Sequence, residues 1–465
     1  MDALKVRRTN CPWRSVARPF GASVRLFHLF HREQAALGAG FWPIRCDTCY
    51  AAEVTTVSID DSGVPPPAKR PTLSAVEIGE WPGLGNNVRL ELGERRTVLV
   101  GRNGAGKSLL VAGVFRGARE VWWSTPHRVD SPAYFRCDVQ RPGLAPLAYE
   151  FRRGSEDDDD DDNGDAAVSG ETSASGAPRV RISQWAERCW EPETETEVWR
   201  VFGSTLWVRG DEPAPISPGV GLLAVMDPRT TPPPPSEALL LSGLLGGFAL
   251  IPAGVPRHDP TNRREIYVRS ARTGTRRWAR PPGRIEGLAF TIATFYDYRK
   301  ELYDEFVGLA QRLGIVREII VKVYEDPARA VKPEERRDFA SILFDGLNIG
   351  LLSDGTLRLS EMLVDLIRRS GSVVLIEEPE TAVHPGLLSR LLEVVDSYSV
   401  DRQVIISTHS PIVVDWCQAD ELRLIERTEG HTTSRSLSAK EATRVDHYLS
   451  DEGTLSDFIY SQANV

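Results

Sequence analysis

A chain of 465 residues with a formal net charge of −9 has room for two or three structural units with buried cores. The acidic balance argues against a uniformly basic nucleic-acid binder, although the run Glu156-Asp-Asp-Asp-Asp-Asp-Asp162 carries much of it and the remainder is close to neutral. Cys11, Cys46, Cys49, Cys137, Cys189 and Cys417 are too scattered for a disulfide scaffold, which points to a reducing compartment and a cytoplasmic location.

Residues 1–71 are rich in arginine, poor in acids until Asp60-Asp61, and close after Pro65-Pro-Pro67. They read as a poorly ordered extension; an arginine-rich, acid-poor start can be a transit peptide, yet this one carries no amphipathic repeat. His28, His31, Cys46 and Cys49 form an H-x-x-H and a C-x-x-C, four nitrogen and sulfur ligands of the kind zinc takes. A lone C-x-x-C is also common without metal. Strands are expected from Leu73 to Ile78, near Val88–Leu92 and within Tyr134–Phe151. Between them, Thr97-Val-Leu-Val100 is an apolar strand that enters Gly101, Arg102, Asn103, Gly104, Ala105, Gly106, Lys107 and Ser108, and Leu109–Phe115 continues as a helix. Glycines let successive backbone N–H groups face a polyphosphate, the helix starts with its positive dipole end there, and Lys107 adds a charge. The Ser108 hydroxyl is placed to meet magnesium.

Residues 153–180, acidic and rich in Gly, Ser and Thr, read as a solvated linker. The alternative is a mimic of nucleic-acid charge or a partner-binding tail. Residues 181–285 read as an insertion with proline loops. Within it Ala238–Ile251 is uncharged but short for a bilayer and stops at Pro252, so it is expected to be buried rather than inserted in a membrane. Further on, Glu265–Ser270 and Thr275–Arg280 read as a hairpin. Arg269, Arg276, Arg277 and Arg280 there are candidate nucleic-acid contacts, with Trp278 to stack. The competing reading is a solvated hairpin. Ala293–Gly314 is helical and the helical pattern is expected to resume after Lys332, so residues 286–345 read as a short helical arm without sustained heptads.

Three motifs then follow. Leu352-Ser-Asp-Gly-Thr356 opens an amphipathic helix, and Ser353 and Gly355 make its turn an anion site or, on the plainer reading, a helix cap. Val373-Val-Leu-Ile-Glu-Glu-Pro-Glu380 is a buried strand ending in acids, with Glu377 placed to hold the magnesium water and Glu378 to polarise an attacking water. Val404-Ile-Ile-Ser-Thr-His-Ser-Pro411 ends its strand at His409, where an imidazole can sense a γ-phosphate or serve as an ordinary hydrogen-bonded histidine.

In that order the motifs resemble those of an ABC-type ATPase. Glu-Glu-Pro-Glu-Thr-Ala-Val-His384-Pro385, and Leu-Ser-Asp-Gly-Thr-Leu-Arg at the helix start, look like the RecF-, SMC- and OLD-like branch, which includes AAA-domain proteins grouped with abortive-infection toxins. The similarity runs from Thr72 to Val465 with gaps and is most specific at Thr97–Phe115 and Asn348–Ser410. It implies an α/β fold of P-loop NTPase, ABC-ATPase type, with a mostly parallel core sheet and a flanking antiparallel β-subdomain. Residues 72–152 would be the first part of the ATPase lobe and 346–465 the second. It implies ATP and Mg2+ as cofactors. Gly101 to Ser108 would lie on the phosphates, Ser108 and Glu377 at the metal, Glu378 as general base, and His409 at the γ-phosphate. It also implies a homodimer or higher homo-oligomer in which the Ser353–Gly355 turn of one copy faces the phosphate loop of the other. Two departures stand out. Glu377 replaces the usual Asp, so its longer side chain reaches a metal by a shifted geometry or a water. No glutamine is firmly placed to link nucleotide state to the lobe interface, Gln140 being the candidate. Related OLD-type proteins carry a nuclease domain after the last motif. Here Pro411–Val465 offers no comparable carboxylate cluster beyond Asp415, Asp420 and Glu421, so a separate effector protein is expected to do any cutting. The function expected is an ATPase that gates a partner in a DNA-associated or anti-phage defence role. The alternatives are a non-hydrolysing ATP-dependent scaffold and a transporter's ATPase subunit.

Overall fold

Apolar runs with no polar alternation belong in a sheet covered on both faces, and the chain builds the middle and one edge of a six-stranded sheet from four of them. In the computed structural model, which describes residues 70–81, 83–85, 87–123, 133–153, 185–216, 222–223, 235–254, 266–270, 276–278, 284–325, 337–368, 371–450 and 453–462, this core sheet holds β3 (Arg96–Val100), β10 (Phe248–Ile251), β16 (Val373–Glu377), β17 (Gln403–Thr408), β18 (Leu422–Thr428) and β19 (His431–Arg435). The spatial order is β10-β16-β17-β3-β18-β19, parallel throughout except for β19. All five residues of β16 and all six of β17 are buried. The mostly parallel core expected of an ABC-type P-loop NTPase is therefore present.

The first-lobe strands form a separate antiparallel sheet. β1 (Thr72–Gly79), β2 (Val88–Glu91), β4 (Tyr134–Gln140) and β5 (Leu147–Arg153) join β6 (Trp185–Glu191), β7 (Thr196–Phe202), β8 (Thr205–Val208) and β9 (Ala214–Pro215) in the order β2-β1-β4-β5-β6-β7-β8-β9. The stretch read as an insertion from residue 181 thus extends this sheet for four strands. Buried Gln403 on β17 ties the two sheets: its amide accepts from Leu73 N at 2.8 Å and donates to Leu73 O and Gly93 O, each at 2.8 Å. Helix α1 (Lys107–Trp123) lies against both, with Leu110, Val111, Val114, Ala118 and Val121 buried along one stripe.

Two further expectations require correction. Ala238–Ile251 is mostly buried as expected, with Leu239 exposed, yet it is not insertion material. It folds as α2 (Ser236–Gly246) and then β10, the edge strand of the core sheet, with Phe248, Ala249 and Ile251 at most 2 % exposed. The expected helical arm is helical only in its first half, α3 (Arg284–Tyr298) and α4 (Lys300–Leu313), separated at Arg299. From Arg337 the chain is extended. β13 (Ile319–Glu325) pairs antiparallel with β14 (Arg337–Phe344), which also pairs with β15 (Leu347–Asn348). Ala340, Ile342 and Phe344 are buried at alternate positions, the strand period rather than the helical one. The expected hairpin forms as β11 (Ile266–Ser270) with β12 (Arg276–Trp278), and β11 completes the third sheet by pairing with β14. The candidate zinc ligands, most of the extension, the acidic run and Arg280 lie outside the described residues.

The second lobe adds α5 (Asp354–Arg368), α6 (Pro385–Ser399), α7 (Pro411–Trp416), α8 (Ala439–Ser450) and α9 (Leu455–Gln462). Among the described residues no helix is long and apolar enough to cross a membrane.

Candidate functional site

Four parallel strands end side by side, and the chemistry gathers at those ends. β3 delivers the phosphate loop, β17 delivers His409, β16 delivers Glu377 and Glu378, and β10 delivers Pro252-Ala253. The C-terminal edge of a parallel sheet is where such folds bind ligands.

The loop's glycines answer to specific neighbours. A Cβ at Gly101 would sit 2.2 Å from Ile425 O, so the loop can lie on β18 only without one. Gly106 has φ +101°, a left-handed conformation, and a Cβ there would meet Thr432 Oγ1 at 2.6 Å. Thr432 donates to Ala105 O at 3.2 Å and fixes the loop from β19. Arg102, Asn103, Gly104 and Ser108 are exposed, leaving the loop's outer surface open to an anion, while Lys107 is 5 % exposed at the start of α1. Its ammonium donates to Gly101 O at 2.7 Å and Arg102 O at 3.3 Å, and lies 2.7 Å from His409 Nε2. A protonated Lys107 donates to that nitrogen when the ring is neutral with its hydrogen on Nδ1. Burial lowers the Lys107 pKa to about 8 against the opposing pull of Glu378 and Glu380. Burial, then the Lys107 charge, lowers that of His409.

The backbone of His409 is held from two sides. Glu380 Oε1 accepts from His409 N at 2.7 Å and from Thr408 Oγ1 at 2.9 Å. Tyr460 on α9 donates to His409 O at 3.0 Å, and α9 is itself tied to α7 where Asp415 accepts from Ser456 N and Oγ. Sequence reasoning assigned no role to either residue. Glu380 was visible as the last acid of Glu-Glu-Pro-Glu; Tyr460 left no local signal.

Glu377 is 8 % exposed, and Ala253 N donates to its Oε2 at 3.0 Å. Burial raises its pKa, partly offset by that N–H. Glu378 follows in a left-handed conformation, φ +43°, with its N–H on Ser407 O at 2.8 Å and Thr381 Oγ1 donating to its Oε2 at 3.3 Å. A non-glycine residue in that region costs of the order of 1 kcal/mol or more and turns the side chain out of the strand's alternation. Arg358, another residue the sequence reading passed over, is fully buried beneath these acids. One Nη donates to Pro252 O at 2.7 Å and the other to Glu377 O at 2.8 Å, so the guanidinium joins the ends of β10 and β16 to α5.

Ser353 occupies the start of that same helix. Its Oγ accepts from Thr356 N at 3.3 Å and pairs with Thr356 Oγ1 at 2.9 Å, the cap of the plainer reading, and it forms its bonds within this turn rather than with the phosphate loop of its own chain. Ser353 is exposed, and a Cβ at Gly355 would lie 2.6 Å from Ala382 O, so the turn rests on the loop that follows Glu378. Gln140 is exposed at the end of β4, opposite Thr72. Among the described residues it makes no bond to the acids; the main chain of Ala253 does.

The donor set fits a nucleotide with a hard cation. Magnesium prefers one or two protein oxygens together with phosphates and water, and Ser108 and Glu377 are such donors. The buried Ser407 Oγ, opposite Glu377 in the β16–β17 register, and Glu380 Oε2 have no hydrogen-bond partner among the described residues, leaving polar capacity at the strand ends.

Residues 291–415 match the family model described as "AAA domain, putative AbiEii toxin, Type IV TA system". No curated protein matches the chain. Among solved structures it is similar to an SMC head bound to the C-terminal winged-helix domain of ScpA, at 12 % identity over 80 % of this chain and 99 % of that one, with a TM-score of 0.39. It is also similar to the SMC head domain from Thermotoga maritima, at 11 % identity over 79 % and 100 % with a TM-score of 0.35. A third is the ATP-binding subunit of an ABC transporter, at 11 % identity over 84 % and 99 % with a TM-score of 0.36.

Proposed function

We propose that this ABC-class AAA ATPase binds ATP with magnesium on the Gly101–Ser108 loop, hydrolyses it, and closes into a homodimer that gates a separate effector in a DNA-associated or anti-phage defence role. The observation that carries the reading is the convergence of Lys107, Glu377, Glu378 and a doubly anchored His409 on one strand-end edge. Ser108 and Glu377 would hold magnesium, which when bound offsets phosphate charge. Lys107 exchanges its contacts to Gly101 O, Arg102 O and His409 for the β- and γ-phosphates. That frees the imidazole of His409 for the γ-phosphate. Glu378, already turned out of β16, orients the attacking water and accepts its proton. Positioning and electrostatics supply the acceleration, as phosphoryl transfer demands little covalent chemistry of the protein. The exposed Ser353 turn, whose hydroxyl bonds within its own turn, is the surface offered to the partner copy's nucleotide.

Phosphate release by the purified protein with magnesium tests this. Glu378→Gln is expected to lower turnover at least ~100-fold while retaining ATP and favouring the dimer in sedimentation. Adding Ser353→Arg to that background should leave one-subunit ATP binding intact and abolish ATP-driven dimerisation. Undiminished hydrolysis by Glu378→Gln would overturn the base, and a Ser353→Arg protein that still dimerises would place the turn outside the interface.

A further inference from the structure

The phosphate loop and the Ser353 turn each carry an exposed ionic side chain that their own chain leaves unbonded. On the loop, the Arg102 carbonyl accepts from Ala105 N at 3.1 Å and from Lys107 Nζ at 3.3 Å, so the main chain is fixed while the side chain is exposed. Lys107 is 5 % exposed, which leaves Arg102 as the exposed cation of Gly101–Ser108. On the turn, Asp354 is the first residue of α5, exposed beside Ser353, whose hydroxyl is taken up by Thr356. Among the described residues neither the Arg102 guanidinium nor the Asp354 carboxylate has a hydrogen bond or ion pair, so the two do not pair with each other within one chain. The turn is seated on the loop after Glu378, where a Cβ at Gly355 would lie 2.6 Å from Ala382 O.

An acid in the first turn of a helix favours that helix by opposing its dipole, which accounts for Asp354 in an isolated copy. It does not account for an acid on a turn offered to a partner's nucleotide. A triphosphate beside Glu377, Glu378 and Glu380 makes that edge anionic, and like charges brought together on association oppose it. A cation opposite Asp354 removes the conflict, and Arg102 is the one the loop exposes. In a two-fold dimer every contact occurs twice, so one acid and one cation per chain supply two pairs. We infer that Asp354 of each copy pairs with Arg102 of the other, and that these crossed ion pairs select a second copy of this chain as the partner of the nucleotide face. The inference rests on the dimer reading given above and adds to it the residues that choose the partner.

Sedimentation of full-length chains in the Glu378→Gln background, each at an ATP and magnesium concentration shown to saturate that variant, tests it. Arg102→Glu and Asp354→Arg each set like charges opposite one another twice per dimer, and each is expected to weaken self-association about tenfold or more. Mixed in equal amounts, the two variants restore an opposite-charge pair at both places, because each supplies the charge its counterpart lacks. The mixture is expected to form a heterodimer within about threefold of the parent's affinity. Self-association of both single variants as tight as the parent's overturns the inference, and so does a mixture that stays monomeric. Rescue by Arg102→Glu/Asp354→Arg in one chain without rescue by mixing would place the pair inside a copy and overturn it as well. A Glu378→Gln parent that binds ATP and stays monomeric overturns the dimer reading itself, whereas a dimeric parent without rescue on mixing overturns the ion pair alone.

Discussion

Arg358 is the residue on which α5, β10 and β16 converge, and Arg358→Met removes its charged fork while keeping much of its apolar stem. The side chain is fully buried, bonds Pro252 O at 2.7 Å and Glu377 O at 2.8 Å, and pairs with Glu361 at 3.4 Å. Hydrogen bonds from a charged donor contribute about 1.5–3 kcal/mol each, so the two carbonyl contacts together come to about 3–6 kcal/mol. Methionine recovers part of that through apolar burial, and the third contact, to Glu361, is long. A net loss of about 3–5 kcal/mol is expected, the range for breaking a buried ionic pair. Arg358→Lys keeps the charge but cannot reach both carbonyls with a planar fork, and about half the loss should remain. Urea unfolding reads the stability, and magnesium-dependent ATP retention reads the site, because the same guanidinium fixes the peptide of Glu377. A methionine variant within 1 kcal/mol of wild type that also retains ATP normally would refute the argument that this arginine holds the strand ends together.

The lowered pKa of Lys107, about 8, makes ATP affinity pH-dependent. Phosphates bind the protonated amine, so affinity should be nearly flat below pH 7.5 and fall by up to tenfold per pH unit above about 8; calorimetry should show proton uptake on binding there. Lys107→Arg should abolish that dependence, and an affinity unchanged from pH 7 to 9.5 in the wild type would contradict it. The anchors of His409 should separate in kinetics: Tyr460→Phe removes one neutral hydrogen bond, about 1 kcal/mol, and is expected to lower kcat about fivefold with KM little changed. Glu380→Gln, which removes the charge while keeping an acceptor oxygen, should lower kcat further, and a purely structural role would lower thermal stability in both variants without this split.

The parts of the site legible in the sequence are those whose chemistry is contiguous. Gly101 to Ser108, Glu377-Glu378 and Ser407-Thr408-His409 each sit at the end of an apolar strand, and strand-then-turn is a local pattern. Even there, the reason for Gly101 is remote, since the clashing carbonyl belongs to Ile425. Phe248–Ile251 illustrates the limit. An uncharged apolar run has no period that separates a buried strand from a buried helix, and only pairing with β16 settles it. The error after Lys332 has a different cause. The charged Lys332–Asp338 stretch hides the start of an alternation that becomes clear only from Phe339 to Phe344.

Arg358 and Tyr460 bond main-chain carbonyls 19 to 106 residues away, and Ala253 donates its own N–H to the Glu377 carboxylate 124 residues away. A side chain that bonds a carbonyl places no demand on the identity of its partner, so neither member of the pair marks the other in the sequence. The consequence is physical as well as practical. Glu377, Glu378 and His409 are the visible reagents, but their alignment rests on a buried guanidinium, a peptide N–H at Ala253 and a tyrosine hydroxyl on the last helix. Substitutions at those three places are therefore expected to disturb catalysis through geometry while every residue of the recognisable motifs remains in place.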